Sequence, residues 1–151
     1  MKYQSTKVFD NYSVAIRQWK AQHSHCQLLH GYALKFKVWF EGDTLDEMNW
    51  LVDFGGFKDK PIGNGLKAWM NDMFDHTLLV EKDDPYYDLF EQMGGMNLAK
   101  VHFLEKMGAE SLARMVFEKF NDVLSKTDGD RCRVVKVECF ENNKNSAIYK
   151  N

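Results

Sequence analysis

The stretch YALKFKVWFEG, residues 32–42, alternates. Tyr32, Leu34, Phe36, Val38 and Phe40 fall on one face, and Ala33, Lys35, Lys37 and Glu41 on the other. Trp39 breaks the polarity of the second face, and Gly42 ends the run. A period of two over this length predicts a half-buried strand. The preceding TKVFDNYSVAIRQW is rich in β-branched and aromatic residues and predicts its partner strand. MNWLVDFGGF is a short extended apolar run that breaks at Gly55–Gly56.

Leu66, Trp69, Met70 and Met73 recur at helical spacing, predicting a helix over 66–74. Residues 80–106 read as acidic and irregular, with Asp83-Asp84-Pro85 as a turn signal. From Ala109, the positions Leu112, Ala113, Val116, Phe120, Val123 and Leu124 form a helical stripe. Asp128-Gly129-Asp130 is a turn, RCRVVKVECFE a strand and SAIYK a last short strand. The predicted order is β-β-α-α-β-β. It implies an α+β fold, a four-stranded antiparallel sheet with two helices on one face. Such a sheet has two open edges, which are often hidden by joining other subunits.

Composition narrows the classes. With 151 residues and 44% hydrophobic content, residues 1–151 are expected to form a single domain. Twenty basic and 22 acidic residues give a net charge of −2, which draws the chain neither to nucleic acid nor to an anionic membrane. The opening MKYQSTKVFDNYS has no apolar signal core, and no apolar run is long enough to span a bilayer. Cys26, Cys132 and Cys139 are odd in number and far apart, which points to the reducing cytoplasm rather than to disulfides.

Four places could carry chemistry. Cys26 lies between His25 and His30-Gly31, so it is either a small buried hydrophobe or a thiol tuned by imidazoles. Asp75-His76 is either an oriented acid–base pair or a histidine at a helix C-terminus. Counting by two from Val135 puts Val137, Cys139 and Glu141 on one face, with Glu141 at the inner end of its strand. That carboxylate is paired, solvated or a ligand anchor. Glu110 suits the first turn of a helix. His23 and His25 share a side of an extended backbone, and with His30 they are numerous enough for a catalytic zinc. His102 has no evident partner.

Taken in order, these pieces resemble the family of 6-pyruvoyltetrahydropterin and 6-carboxytetrahydropterin synthases. The family's reactive cysteine and His-Gly-His correspond to Cys26 and His30-Gly31-Tyr32. Its W-I-I-D-F type segment corresponds to Trp50-Leu51-Val52-Asp53-Phe54, and its Asp-His pair to Asp75-His76. Its Thr-x-Glu helix start is matched loosely at Gly108-Ala109-Glu110, and its pterin-anchoring glutamate falls on Glu141, eight residues before Tyr149. The resemblance implies the T-fold, in which two hairpins and two helices assemble into homo-oligomers, trimers or hexamers, that close their sheets into a barrel. It implies a lyase acting on 7,8-dihydroneopterin triphosphate or a related pterin, of the queuosine pathway or other pterin metabolism. Cys26, Asp75 and His76 would be catalytic, and Glu141 and Glu110 substrate-binding. It also implies zinc on three histidines.

Here the chain departs from the pattern. YSVAIR stands where the family has F-x-A-A-H-R, which puts Ile16 at one ligand position, and Tyr32 occupies another. Only His30 remains, so a metal site would need His25 or His23 beside it. Three readings follow: pterin chemistry with an altered metal site, a metal-free T-fold enzyme with a different pterin or purine reaction, or a non-catalytic pterin-binding module.

Overall fold

The computed structural model describes residues 2–58 and 63–151. Strands β1 (Tyr3–Ile16) and β2 (His30–Gly42) form a long antiparallel hairpin. Asn11, at φ 65°, takes the left-handed conformation inside a bulge between Phe9 and Tyr12. The bulge keeps Phe9, Tyr12, Val14 and Ile16 all on the buried face, opposite Leu34, Phe36 and Val38. Helix α1 spans Leu66–Phe74 as its apolar spacing predicts, and the stripe from Ala109 becomes a helix running to Thr127. Leu112, Val116, Phe120 and Leu124 of that long helix are each nearly inaccessible. Burying such a side chain stabilises the fold by about 2 kcal/mol. The closing strands β5 (Arg133–Phe140) and β6 (Ser146–Lys150) pair antiparallel.

The sheet is larger than the sequence pattern suggests. Residues 80–106 are not irregular: they complete β3 (Thr77–Glu81) and form helix α2 (Tyr87–Gly95) and strand β4 (Lys100–Leu104). The helix from Ala109 is therefore α3. β3 runs parallel to β1, and β4 parallel to β3, giving a mixed six-stranded sheet in the order β4-β3-β1-β2-β5-β6. Nor do the helices all share one face. Leu79 of β3 enters the main core with α1 and α3, whereas Leu78 and Val80 point the other way, against Phe90 of α2. A strand buried on both faces shows no alternation, which is why β3 left no period-two signal.

A second correction concerns β5. A bulge at Val135 on β5 shifts the ladder, pairing Trp39 with Lys136 and Phe40 with Val134. Val134, rather than Val135, joins Val137 and Cys139 in the core. Beyond the bulge the period holds, and Glu141 follows Cys139 on the inner face as expected.

Candidate functional site

The open end of the β1–β2 hairpin gathers the candidate residues. Ile16 pairs with His30 and Val14 with Tyr32 across the ladder, so Ile16, His30 and Tyr32 are neighbours on one face. From Ile16 the chain loops through residues 17–29 and returns as β2. Cys26 lies in a 3-10 turn, His25–Gln27, capped by the Ser24 hydroxyl, which accepts from the Cys26 N–H at 3.2 Å.

Arg17 and Gln18 clamp this loop from below. The Arg17 guanidinium donates to Asp84 Oδ2 at 2.8 Å and to the Gln27 carbonyl at 3.0 Å, and it lies over the Tyr86 ring. The Gln18 N–H donates to the Cys26 carbonyl at 2.8 Å, and its side-chain amide donates to the Met107 carbonyl at 3.3 Å. The loop before α3 is held in turn by buried Glu81, whose Oε1 accepts from the Met107 N–H. Gly108 starts α3 at φ 133°, where a side chain would be strained and a Cβ would meet both Gln18 and Glu110. The loose match to Thr-x-Glu thus has a local reason: the backbone here asks for glycine.

Tyr32 is the hub of the cluster. Its hydroxyl lies 3.0 Å from His30 Nε2, while His30 Nδ1 lies 2.7 Å from the Leu28 carbonyl. The Tyr32 phenol is pushed above its ordinary pKa of 10.0 by burial first, then by the charges of Glu141 and Cys26 and by a hydrogen bond to Glu141. The Cys139 thiol beneath is pushed well up, mainly by burial and then by the charges of Glu141 and Glu110. Tyr32 thus senses both Glu141 and Cys26, and Cys139 senses both Glu141 and Glu110. Glu141 is half-buried, and its N–H is tied to the Asn145 carbonyl in the β5–β6 turn at 3.1 Å. Glu110 is exposed in the first turn of α3.

Asp75 and His76 form the expected pair, with Asp75 Oδ1 and His76 Nδ1 3.0 Å apart. His76 is 83% exposed and sits at φ 56°. Its N–H donates to the Ser13 carbonyl at 2.7 Å. Ser13 precedes Ile16 by three residues on β1, roughly 10 Å along a strand. Within one chain the pair is anchored to β1 at Ser13, not to the loop that carries Cys26. His102, which had no evident partner, hydrogen-bonds through Nε2 to the Asp72 carbonyl at 2.9 Å.

The metal ligands suggested by the sequence do not converge. His23 and His25 are exposed on the outer loop. Among the described residues, no group of three His, Cys, Asp or Glu side chains is arranged to hold a metal ion. The resemblance implies a zinc ion at the three positions now shown to be neighbours, but the residues there do not fit one. Ile16 is 2% exposed and apolar, and both His30 ring nitrogens are already engaged.

A separate concavity of about 560 Å³ lies at the other end of the hairpin, between Tyr3, Leu45, Trp50, Leu51 and Phe54. It holds none of the cluster above. The convergence of titratable groups makes the Cys26–Tyr32–Glu141 end the candidate site. Sequence reasoning missed Arg17, Gln18 and Asp84, whose roles depend on the unrecognised β3–α2 connection. It placed Tyr32 on the inner face of its strand but gave it no role beyond that of a lost ligand; the register sets it opposite Val14.

Comparison with known proteins agrees with this geometry. Residues 5–151 match the family model described as 6-pyruvoyl tetrahydropterin synthase. A 6-carboxy-5,6,7,8-tetrahydropterin synthase of Aquifex aeolicus is 28% identical over an alignment of 170 positions covering 99% of both chains. A crystal structure of an uncharacterized Wolinella succinogenes protein superposes with a TM-score of 0.79 at 21% identity, covering 99% of this chain and 98% of that one. The 6-pyruvoyl tetrahydropterin synthase of Caenorhabditis elegans gives 0.64 at 20% identity, covering 99% and 95%. These structural likenesses establish the fold, which is the T-fold with β3, α2 and β4 added to the expected elements. Motifs, fold and family model together assign the chain to the 6-pyruvoyl tetrahydropterin synthase family.

Proposed function

We propose that the protein is a carbon–oxygen lyase acting on 7,8-dihydroneopterin triphosphate or a related pterin. The observation that carries this reading is Glu141. It is a half-buried carboxylate one residue past the end of β5, interacting with Tyr32, which also senses Cys26. Such a carboxylate accepts two parallel N–H donors from a 2-amino-4-oxo ring, a charge-assisted bidentate pair. Glu110, also on this side, is a further substrate contact. A ring held there presents its side chain to Cys26, which serves as a proton acceptor and donor.

His76, oriented by Asp75, is the second acid–base group. It is anchored to β1 rather than to the Cys26 loop, and its contribution comes through assembly, as a homo-oligomeric trimer or hexamer brings copies together. The elimination balances simply. A base removes a proton from a side-chain carbon, the electron pair forms a carbon–carbon double bond, and triphosphate leaves with its oxygen. Three free cysteines fit a reducing, cytoplasmic setting. Among the described residues no helix is long and apolar enough to cross a membrane.

The test is a fluorescence titration with neopterin. Glu141→Ala is expected to weaken binding by at least about a hundredfold, the worth of two charge-assisted hydrogen bonds, with little change in melting temperature. Unaltered affinity removes this role from Glu141.

A further inference from the structure

We propose that the Tyr32 hydroxyl, oriented by His30, is the group this chain offers a ligand where family resemblance puts a zinc ion, and that Ile16, His30 and Tyr32 hold no metal. The pterin reading above supplies the identity of the ligand; the statement about metal stands without it.

The register of the hairpin brings the three positions together. Ile16 faces His30 directly and Tyr32 is two residues further along the same face of β2. What has changed is the chemistry of the side chains. Ile16 supplies methyl groups to the core. Tyr32 supplies a phenol in contact with the ring nitrogen that would otherwise face an ion.

The hydrogen bonds fix where that phenol points. A backbone carbonyl only accepts, so His30 Nδ1 donates to Leu28 and carries a proton. In the neutral ring Nε2 is then an acceptor, and the Tyr32 O–H donates to it. If Nε2 also carries a proton, it donates to the phenol oxygen and the Tyr32 O–H turns to Glu141, its other partner. In the first arrangement His30 alone fixes the hydroxyl by accepting its proton; in the second His30 donates to the phenol oxygen and Glu141 accepts the proton. A carboxylate has about four lone-pair directions, so in the second arrangement Glu141 accepts from Tyr32 and from a bound ring together, and in the first it keeps them all for the ring. A ligand oxygen arriving beside Glu141 therefore meets a positioned hydroxyl rather than a Lewis acid. The hydrogen bonds of His30 likewise leave no lone pair directed at an ion.

The experiment has two arms. In the first, the full-length protein is incubated with zinc, dialysed and analysed for metal beside Ile16→His/Tyr32→His. The wild type is expected to retain under a tenth of an equivalent, by order of magnitude, and the double variant about one per chain, as a three-imidazole site would. About one zinc per wild-type chain, lost in His30→Ala, overturns the proposal. So does a double variant with wild-type circular dichroism that holds no zinc. A buried histidine at 16 could prevent folding, so Ile16→Cys/Tyr32→His is run beside it with the same expectation.

In the second arm, Tyr32→Phe is titrated with neopterin, with and without zinc. Binding is expected to weaken about tenfold, the worth of one neutral hydrogen bond, and zinc is expected to change nothing. Wild-type affinity in Tyr32→Phe overturns the role given to the hydroxyl. Failure of the wild type to bind neopterin at all overturns the pterin reading instead, and the zinc arm still decides the metal.

Discussion

Arg17 and Asp84 form an ion pair with Nε and Oδ2 2.8 Å apart, Asp84 wholly inaccessible and Arg17 18% exposed. The pair is also a structural relay, because the same guanidinium holds the Gln27 carbonyl next to Cys26, while Asp84 Oδ1 accepts from the Tyr86 N–H. It joins the loop carrying the thiol to the turn between β3 and α2. Asp84→Ala leaves a mostly buried cation without its partner, which costs about 3 kcal/mol. Chemical denaturation is expected to show that loss, and Cys26 is expected to react faster with thiol reagents as its loop loosens. Unchanged stability and unchanged Cys26 reactivity would remove the clamp.

His76 sits in the left-handed region at φ 56° with its ring turned to solvent. Strain held by an exposed non-glycine residue points to use rather than packing. Glycine relieves that strain, so His76→Gly is expected to gain about 1 kcal/mol in stability. The same variant is expected to lose pterin turnover. A stable variant with full activity would show that His76 takes no part in the chemistry.

The three free cysteines divide by burial. Cys26 is half-buried, whereas Cys132 and Cys139 are in the core. A thiol reagent near pH 8 is expected to modify one equivalent quickly, absent in Cys26→Ala, and the other two only on unfolding. Burial pushes the Cys132 thiol from 9.0 up to about 11, and burial with the Asp75 and Asp10 charges pushes the Tyr12 phenol from 10.0 up to about 12. Both folded values are raised, so these groups cost nothing below pH 9. Stability then falls as the unfolded chain ionises first, through about pH 9–11 for Cys132 and 10–12 for Tyr12. Cys132 alone accounts for a loss on the order of 2 kcal/mol. Denaturation midpoints that stay flat from pH 8 to 11 would contradict this.

The legible parts of the fold were those that bury one side only. β2 alternates because one of its faces packs against the helices, and α3 shows a stripe because it covers the sheet from one side. β3 is buried on both faces and has no period, and α2 and β4 are short segments, nine and five residues long, separated by turn signals. Without those three elements residues 80–106 read as acidic and irregular, and Asp84 as part of a turn signal rather than the partner of Arg17. The candidate residues Cys26, His30, Asp75-His76 and Glu141 were legible as motif positions. The hydrogen bond between His30 and Tyr32 was not, because it depends on a side chain that the motif counted only as a substitution.

Release of triphosphate from 7,8-dihydroneopterin triphosphate by the purified protein, with no metal added, tests the central claim most directly. The wild type is expected to release triphosphate and form a product with an altered pterin side chain. Cys26→Ala is expected to be slower by at least about a hundredfold, the contribution of a positioned acid–base group. A wild type that neither binds nor consumes the pterin, or a Cys26→Ala variant that keeps the full rate, would contradict the account.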